Sequence, residues 1–266
     1  MEVTCLLTAV FSKSIKQQLM YRSEFLLSIL GNMVFIYIQI SIWRALLANG
    51  AGGGITSLAG MVTYVIVSYI LRQASRTHFT RTFAVKVNRG DIAIDLIRPV
   101  SMKNMLIAEQ LSENVCNIVL TGLPVAILAG FIWKIEFVIS PLQLLVFGIS
   151  AVLAVALSLY MDYISGMLVF WTRNEDYTRQ MHSGLMTIFA GSAIPLWFYP
   201  EWLRAIGSFL PYRLIAFEPV QIFLGKVDLQ GSLTIVLHQM LWLAVIYAIE
   251  RLIWSRMKNN VFVQGG

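Results

Sequence analysis

The chain has 266 residues, 58% of them apolar and only 13% charged, with two cysteines, three histidines and a net charge of +6. A charged fraction about half that of an ordinary soluble domain, with a mean hydropathy of +0.72, excludes a soluble globular enzyme. The basic excess is explained by membrane topology and anionic lipid and requires no nucleic acid.

Residues 1–23 read as an amphipathic interfacial helix, with Val3, Leu6, Leu7, Val10 and Phe11 on one face and Lys13, Lys16 and Gln17 on the other. Charges at Glu2, Lys13, Lys16 and Arg22 leave no short apolar core with a small-residue cleavage site, so no cleavable leader is expected. Apolar stretches long enough to cross a bilayer predict spans at about 25–47, 55–74, 105–132, 142–171, from near Ser183 onward, and 232–254. The expected fold is an all-α polytopic membrane protein of six transmembrane helices. Residues 1–266 make one transmembrane domain, with a cytoplasmic segment at 75–103 and an outer-leaflet re-entrant segment at 195–230.

The side on which each loop lies follows from its Lys and Arg. With both termini cytoplasmic, fifteen of the 20 basic residues fall inside, seven of them on the stretch from Arg72 to Lys103. That bias predicts a multi-pass protein of the plasma (inner) membrane with both ends inside.

No phosphate-cradling G-x-x-x-x-G-K-[ST] loop, H-E-x-x-H, C-x-x-C or G-x-S-x-G motif occurs, so no catalytic residue and no metal ligand is expected. Cys5 and Cys116 lie far apart, and His78, His182 and His238 are scattered. Ionisable groups within spans are rare and each is a candidate site. Asp162, in the fourth span, reads either as a polar lining or gating group or as a hydrogen bond between helices. In the second span Tyr64 and Ser68 share a face, with Thr63 and Tyr69 adjacent. They read as a substrate path, as interfacial anchors, or as interhelical hydrogen bonds.

Two segments carry more information. In Arg89-Gly90-Asp91-Ile92-Ala93-Ile94-Asp95-Leu96-Ile97-Arg98-Pro99, Asp91 can cap a short helix and Pro99 closes it. Ile92, Leu96 and Ile97 then form an apolar ridge on a charged cytoplasmic helix, a surface suited to a partner. The second begins at Gly191 and carries Pro195, Trp197, Pro200, Trp202, Pro211 and Tyr212, then Pro219 and Gly225. Prolines break the helix there and aromatic side chains sit at interface depth. Backbone of that kind is tolerated only where protein or water covers it.

The G-D-I-x-x-x-L-I-R-P run at Gly90–Pro99 and the glycine–proline pattern from Gly191 to Gly225 resemble the membrane-spanning permeases of ABC-2 type ATP-binding-cassette transporters. In the first run, Ile92 and Ile97 stand where leucine is more usual. The resemblance implies an exporter subunit that moves an amphipathic substrate outward, paired with a second copy or a sister permease. ATP and Mg would be bound by separate P-loop ATPase subunits, not by this chain. It implies that Arg89, Gly90, Asp91, Ile92, Leu96, Arg98 and Pro99 form the ATPase-coupling segment, with a second contact in the loop 172–182 through Arg173, Glu175, Asp176 and Arg179. It further implies a path lined by the second and fifth spans (Tyr64, Ser68, Tyr69, Met186, Phe189, with Asp162 nearby). The outer gate would be built from Gly191, Pro195, Trp197, Pro200, Trp202, Pro211 and Tyr212. The alternative is a secondary transporter driven by an ion gradient, a class that usually shows repeated halves and several midplane charges.

Overall fold

A computed structural model describes residues 22–50, 57–89, 102–133, 139–172 and 174–261, together with single positions 12, 16 and 135. All of the expected interfacial helix at 1–23 except positions 12, 16, 22 and 23, and the 90–101 part of the coupling segment, lie outside the described residues. Among those described, every regular element is a helix. They are α1 (Arg22–Ala48), α2 (Leu58–Ala74), α3 (Phe79–Arg89), α4 (Met102–Asn117), a π turn (Ile118–Gly122), α5 (Leu123–Trp133), α6 (Pro141–Thr172), α7 (Glu175–Phe189), α8 (Glu201–Phe209), α9 (Phe217–Phe223) and α10 (Leu229–Val261). Two 3-10 turns, Leu196–Phe198 and Pro211–Leu214, flank α8.

Among the described residues four helices are long and apolar enough to cross a membrane: Leu26–Ala48, Lys103–Trp133, Pro141–Thr172 and Leu229–Met257. Two further helices are shorter. At 1.5 Å per residue, α2 reaches about 25 Å and α7 a little less.

Helix starts follow local chemistry. The Ser57 hydroxyl accepts the Gly60 N–H at 3.0 Å and begins α2. Ser140 and Gln143 bond reciprocally around Pro141 at the start of α6, the capping-box arrangement with proline at the first helical position. Asp228 accepts the Gly231 N–H at 2.9 Å and begins α10. Asn174 accepts the Tyr177 N–H at 3.0 Å, and Glu175 and Asp176 occupy the first turn, where a helix dipole favours acids. That cap starts α7 eight residues before Ser183. The stretch 174–182, expected as loop, is therefore mostly helix.

Two apolar cores result. In one, Ile36, Ile40 and Trp43 of α1 close on α2, on Val125 and Ala129 of α5, and on Leu196, Phe217, Val220 and Phe223. In the other, α6 packs with α7 and α10 around Leu157, Phe189, Tyr212, Ile222 and Ile235. A smaller cluster at the α3 end joins Phe79 and Phe83 to Leu106, Tyr163, Met167 and Met257. The large apolar side chains left exposed on α1, α5, α6 and α10, such as Leu30, Phe131, Val152 and Leu237, are what a helix shows to hydrocarbon.

Candidate functional site

The chain breaks helix at 75–78, between α2 and α3; Arg76 and His78 in the break are exposed, while Ser75 and the adjoining helix ends at Ala74, Phe79 and Thr80 are buried. A helix end leaves carbonyls and N–H groups without partners, which away from water must be met by something else. Neighbouring helices supply the partners. Asn114 of α4 donates to the Ala74 carbonyl at 2.7 Å, and Ser158 of α6 donates to the Ser75 carbonyl at 2.9 Å. The Gln110 side-chain carbonyl accepts the His78 N–H at 2.9 Å. Asp162 accepts from both the Phe79 N–H and the Thr80 hydroxyl, each at 2.8 Å. Asp162 is 4% exposed. It caps α3 from another helix, where the dipole also favours it. Partial desolvation and the neighbouring Arg76 hold the His78 imidazole below its usual range, outweighing Asp162 nearby.

One turn beyond Asp162, Gly166 lets α3 sit directly on α6. A Cβ there would meet the Phe83 ring at 2.6 Å and the Phe79 carbonyl carbon and oxygen at 3.3 Å. The Phe79 backbone cannot yield as a side chain can. Gly166→Leu is therefore expected to lower stability by about 1–3 kcal/mol, with Gly166→Ala intermediate. Thermal unfolding of the purified protein in detergent checks it, and equal melting of all three forms would disprove the close packing.

On the far side of Asp162, His182 of α7 places Nε2 4.0 Å from its Oδ1, while Nδ1 lies 3.2 Å from the Ser165 hydroxyl. The His182 ring is 6.2 Å from the Tyr212 ring. A contiguous line of side chains thus joins the start of α3 to the turn that follows α8.

The expected coupling residues are only partly described. Gly90, Asp91, Ile92, Leu96, Arg98, Pro99 and Arg173 lie outside the described residues, as does the Arg89 side chain, although Arg89 ends α3. Glu175 and Asp176 stand in the first turn of α7, and Asp176 pairs with Arg179 at 2.8 Å on the surface. Helices α3 and α7 touch.

The expected path residues do not line one surface. Tyr64, Ser68 and Tyr69 are 1%, 0% and 2% exposed, inside the bundle. Tyr64 donates its hydroxyl to the Gly191 carbonyl and sets its ring edge against Trp197 at 5.3 Å. Phe189 is buried against the outer turns and Met186 is half-buried. Beyond its first turns α7 exposes Gln180, Ser183 and Thr187, with Met181 and Ile188 beside them. This polar strip was not anticipated, because 174–182 reads as loop. Spacing of Gln180, Ser183 and Thr187 at i, i+3 and i+7 was the available signal.

Of the expected gate residues, Gly191 and Trp197 come together, both against Tyr64 and Phe217. The Gly191 φ of +71° turns the chain out of α7. The Phe217 N–H then donates to the Ala190 carbonyl at 3.0 Å. Trp197 lies between Tyr64 and Phe217, 5.1 Å from the latter. Pro195 and Pro200 precede the 3-10 turn and α8, and Pro211 starts the second turn with Tyr212 buried. Trp202 stands apart, exposed with Phe209 on the outer face of α8. Two polar anchors had no signal in sequence. Gln239 of α10 donates to the carbonyls of Ser150 and Leu214 at 3.0 and 2.9 Å. Arg213 meets the buried Glu218 at 3.2 Å.

Among the described residues no group of three or more His, Cys, Asp or Glu could hold a metal ion. The family model described as "ABC-2 family transporter protein" matches residues 33–260. None of the curated proteins matches the chain.

Proposed function

The chain belongs to the ABC-2 family of transporter proteins, and from that premise we propose that it is the membrane-spanning permease subunit of an ATP-driven exporter, moving an amphipathic substrate outward. In this reading α2 and α7 complete six spans, both termini are cytoplasmic, and the elements from Gly191 to Gly225 form an outer-leaflet gate. Separate P-loop ATPase subunits bind ATP and Mg and dock on the 89–99 segment and on the first turn of α7.

The observation that carries this reading is the face of α7. The Ser183 and Thr187 hydroxyls on this face donate to the Gln180 and Ser183 carbonyls of the same helix, but an outward Gln180 amide in hydrocarbon is costly unless water or protein covers it. A path between this subunit and a second permease, running along α7, covers it. The tyrosines of α2 then support α7 and the gate from behind.

The test has two arms. Tagged protein taken from its native membranes in mild detergent is expected to bring a stoichiometric P-loop ATPase and a second permease. Single cysteines at Gln180, Ser183 and Thr187 are expected to react with a water-soluble maleimide, while one at the lipid-facing Val152 stays silent. An intact sample without an ATPase would redirect the assignment to a gradient-driven transporter. Unreactive cysteines on α7 would remove the path from this helix.

A further inference from the structure

Lys103 is the second residue of α4 and follows the 90–101 segment directly. Its ammonium does not point into water. It lies 2.8 Å from a carboxylate oxygen of Glu250 on α10. It also stands over three tyrosine rings, 4.6 Å from the centre of Tyr160, 5.0 Å from Tyr247 and 5.8 Å from Tyr163. Each distance is within the range at which a ring face attracts a cation. Glu250 is 3% exposed. Tyr247 is held in turn by Arg251, whose Nε donates to its hydroxyl at 3.1 Å.

The other flank of the same segment is α3, and it reaches the same place. Phe79 and Phe83 set their ring edges against Tyr163 at 5.8 and 5.2 Å. Helix α3 and the start of α4 therefore meet on one tyrosine of α6, one through aromatic edges and the other through a cation. An ordinary surface ion pair has neither a buried carboxylate nor a cage of rings, and contributes little.

We propose that Lys103 is a positioning residue for transport: its clasp by Glu250 and the three tyrosines fastens the trailing end of the coupling segment to α6 and α10, so that displacement of that segment moves these helices together. Without the clasp, α4 swings alone and the motion is lost. The inference rests on the permease reading above and adds to it the route by which movement enters the bundle.

The experiment uses the complete permease–ATPase complex in proteoliposomes, with Cys5 and Cys116 replaced by alanine and a reporter cysteine at Ser183. The probe is the rate of maleimide labelling with and without ATP, read beside the rate of ATP hydrolysis. Lys103→Met is expected to keep hydrolysis while the ATP-induced change in labelling falls by about tenfold, within the usual span of coupling between sites. Lys103→Arg, which preserves the cation, is expected to restore it. If Lys103→Met does not assemble, Lys103→Met with Glu250→Gln removes both charges and carries the same expectation. A Lys103→Met complex that responds to ATP as the unmodified one does, or an arginine variant no better than the methionine one, would overturn the clasp alone. An unmodified complex without any ATP response would overturn the permease reading, and the clasp with it.

Discussion

Asp162→Ala is expected to destabilise the protein by about 3 kcal/mol, the sum of two buried donors left without acceptors at roughly 1–3 kcal/mol each, less what relaxation recovers. The Phe79 N–H is the harder loss. It is main chain, it sits at the first turn of α3, and it cannot turn elsewhere. The Thr80 hydroxyl can rotate to a backbone carbonyl and recover part of its share. Loss of the negative end at the helix start adds about 0.3–1 kcal/mol. Asp162→Asn keeps one carbonyl acceptor and is expected to cost about half as much. Thermal unfolding of the three forms in one detergent, followed by tryptophan fluorescence, would decide it. If the alanine form melted with the parent protein, the capping role of Asp162 would be refuted.

Gly191→Ala is expected to cost about 2–4 kcal/mol, from two causes that can be separated. A side chain at φ +71° carries a conformational penalty of about 1–2 kcal/mol. The added Cβ would also meet the Phe217 Cβ at 2.9 Å and its ring at 3.2 Å, which overpacking raises by another 1–2 kcal/mol or so. Gly50 supplies the control, because its φ is +77° and nothing lies within 4 Å of where its Cβ would be. Gly50→Ala should therefore show the conformational part alone. If the two substitutions lowered the melting temperature equally, the turn after α7 would not be packed as described. The Tyr64 hydroxyl bonds to this same glycine's carbonyl, so strain here passes to α2 as well.

The long apolar helices were legible because hydropathy accumulates along the chain. The stretch expected at 142–171 is α6 at 141–172, and that expected at 105–132 lies within 102–133. The π turn inside the latter was not legible, since Ile118–Gly122 is as apolar as its neighbours. The start of α7 was missed for a different reason. Asn174, Glu175, Asp176 and Gln180 look like a polar loop, yet they are a cap, a first turn and an exposed face. Asp162 announced itself as an ionisable residue in an apolar run, but its partners are 82 and 83 positions away. Nothing local names them. Lys103 and Glu250 are 147 apart, and each taken singly reads as an ordinary charge near a helix end. Single polar residues in apolar helices signal that a partner exists, and only the packing supplies its identity.

The burial of α2 bears on the order in which the protein can be made. Nearly all of this helix is enclosed, including Thr63, Tyr64, Ser68, Tyr69 and Gln73, hydroxyl and amide side chains that lipid does not welcome. Its enclosure is assembled from distant parts of the chain: α1 before it, Val125 and Ala129 much later, and Leu196, Phe217, Val220 and Phe223 later still. In the six-span reading proposed above the helix enters the bilayer second, and the last of those residues leave the ribosome well over a hundred residues afterwards. Throughout that interval α2 stays half-dressed, a natural mark for whatever escorts or removes unfinished membrane proteins. Completion of this core waits for α9, so a message cut short before Phe217 would leave α2 without its last cover and yield a chain fit mainly for disposal.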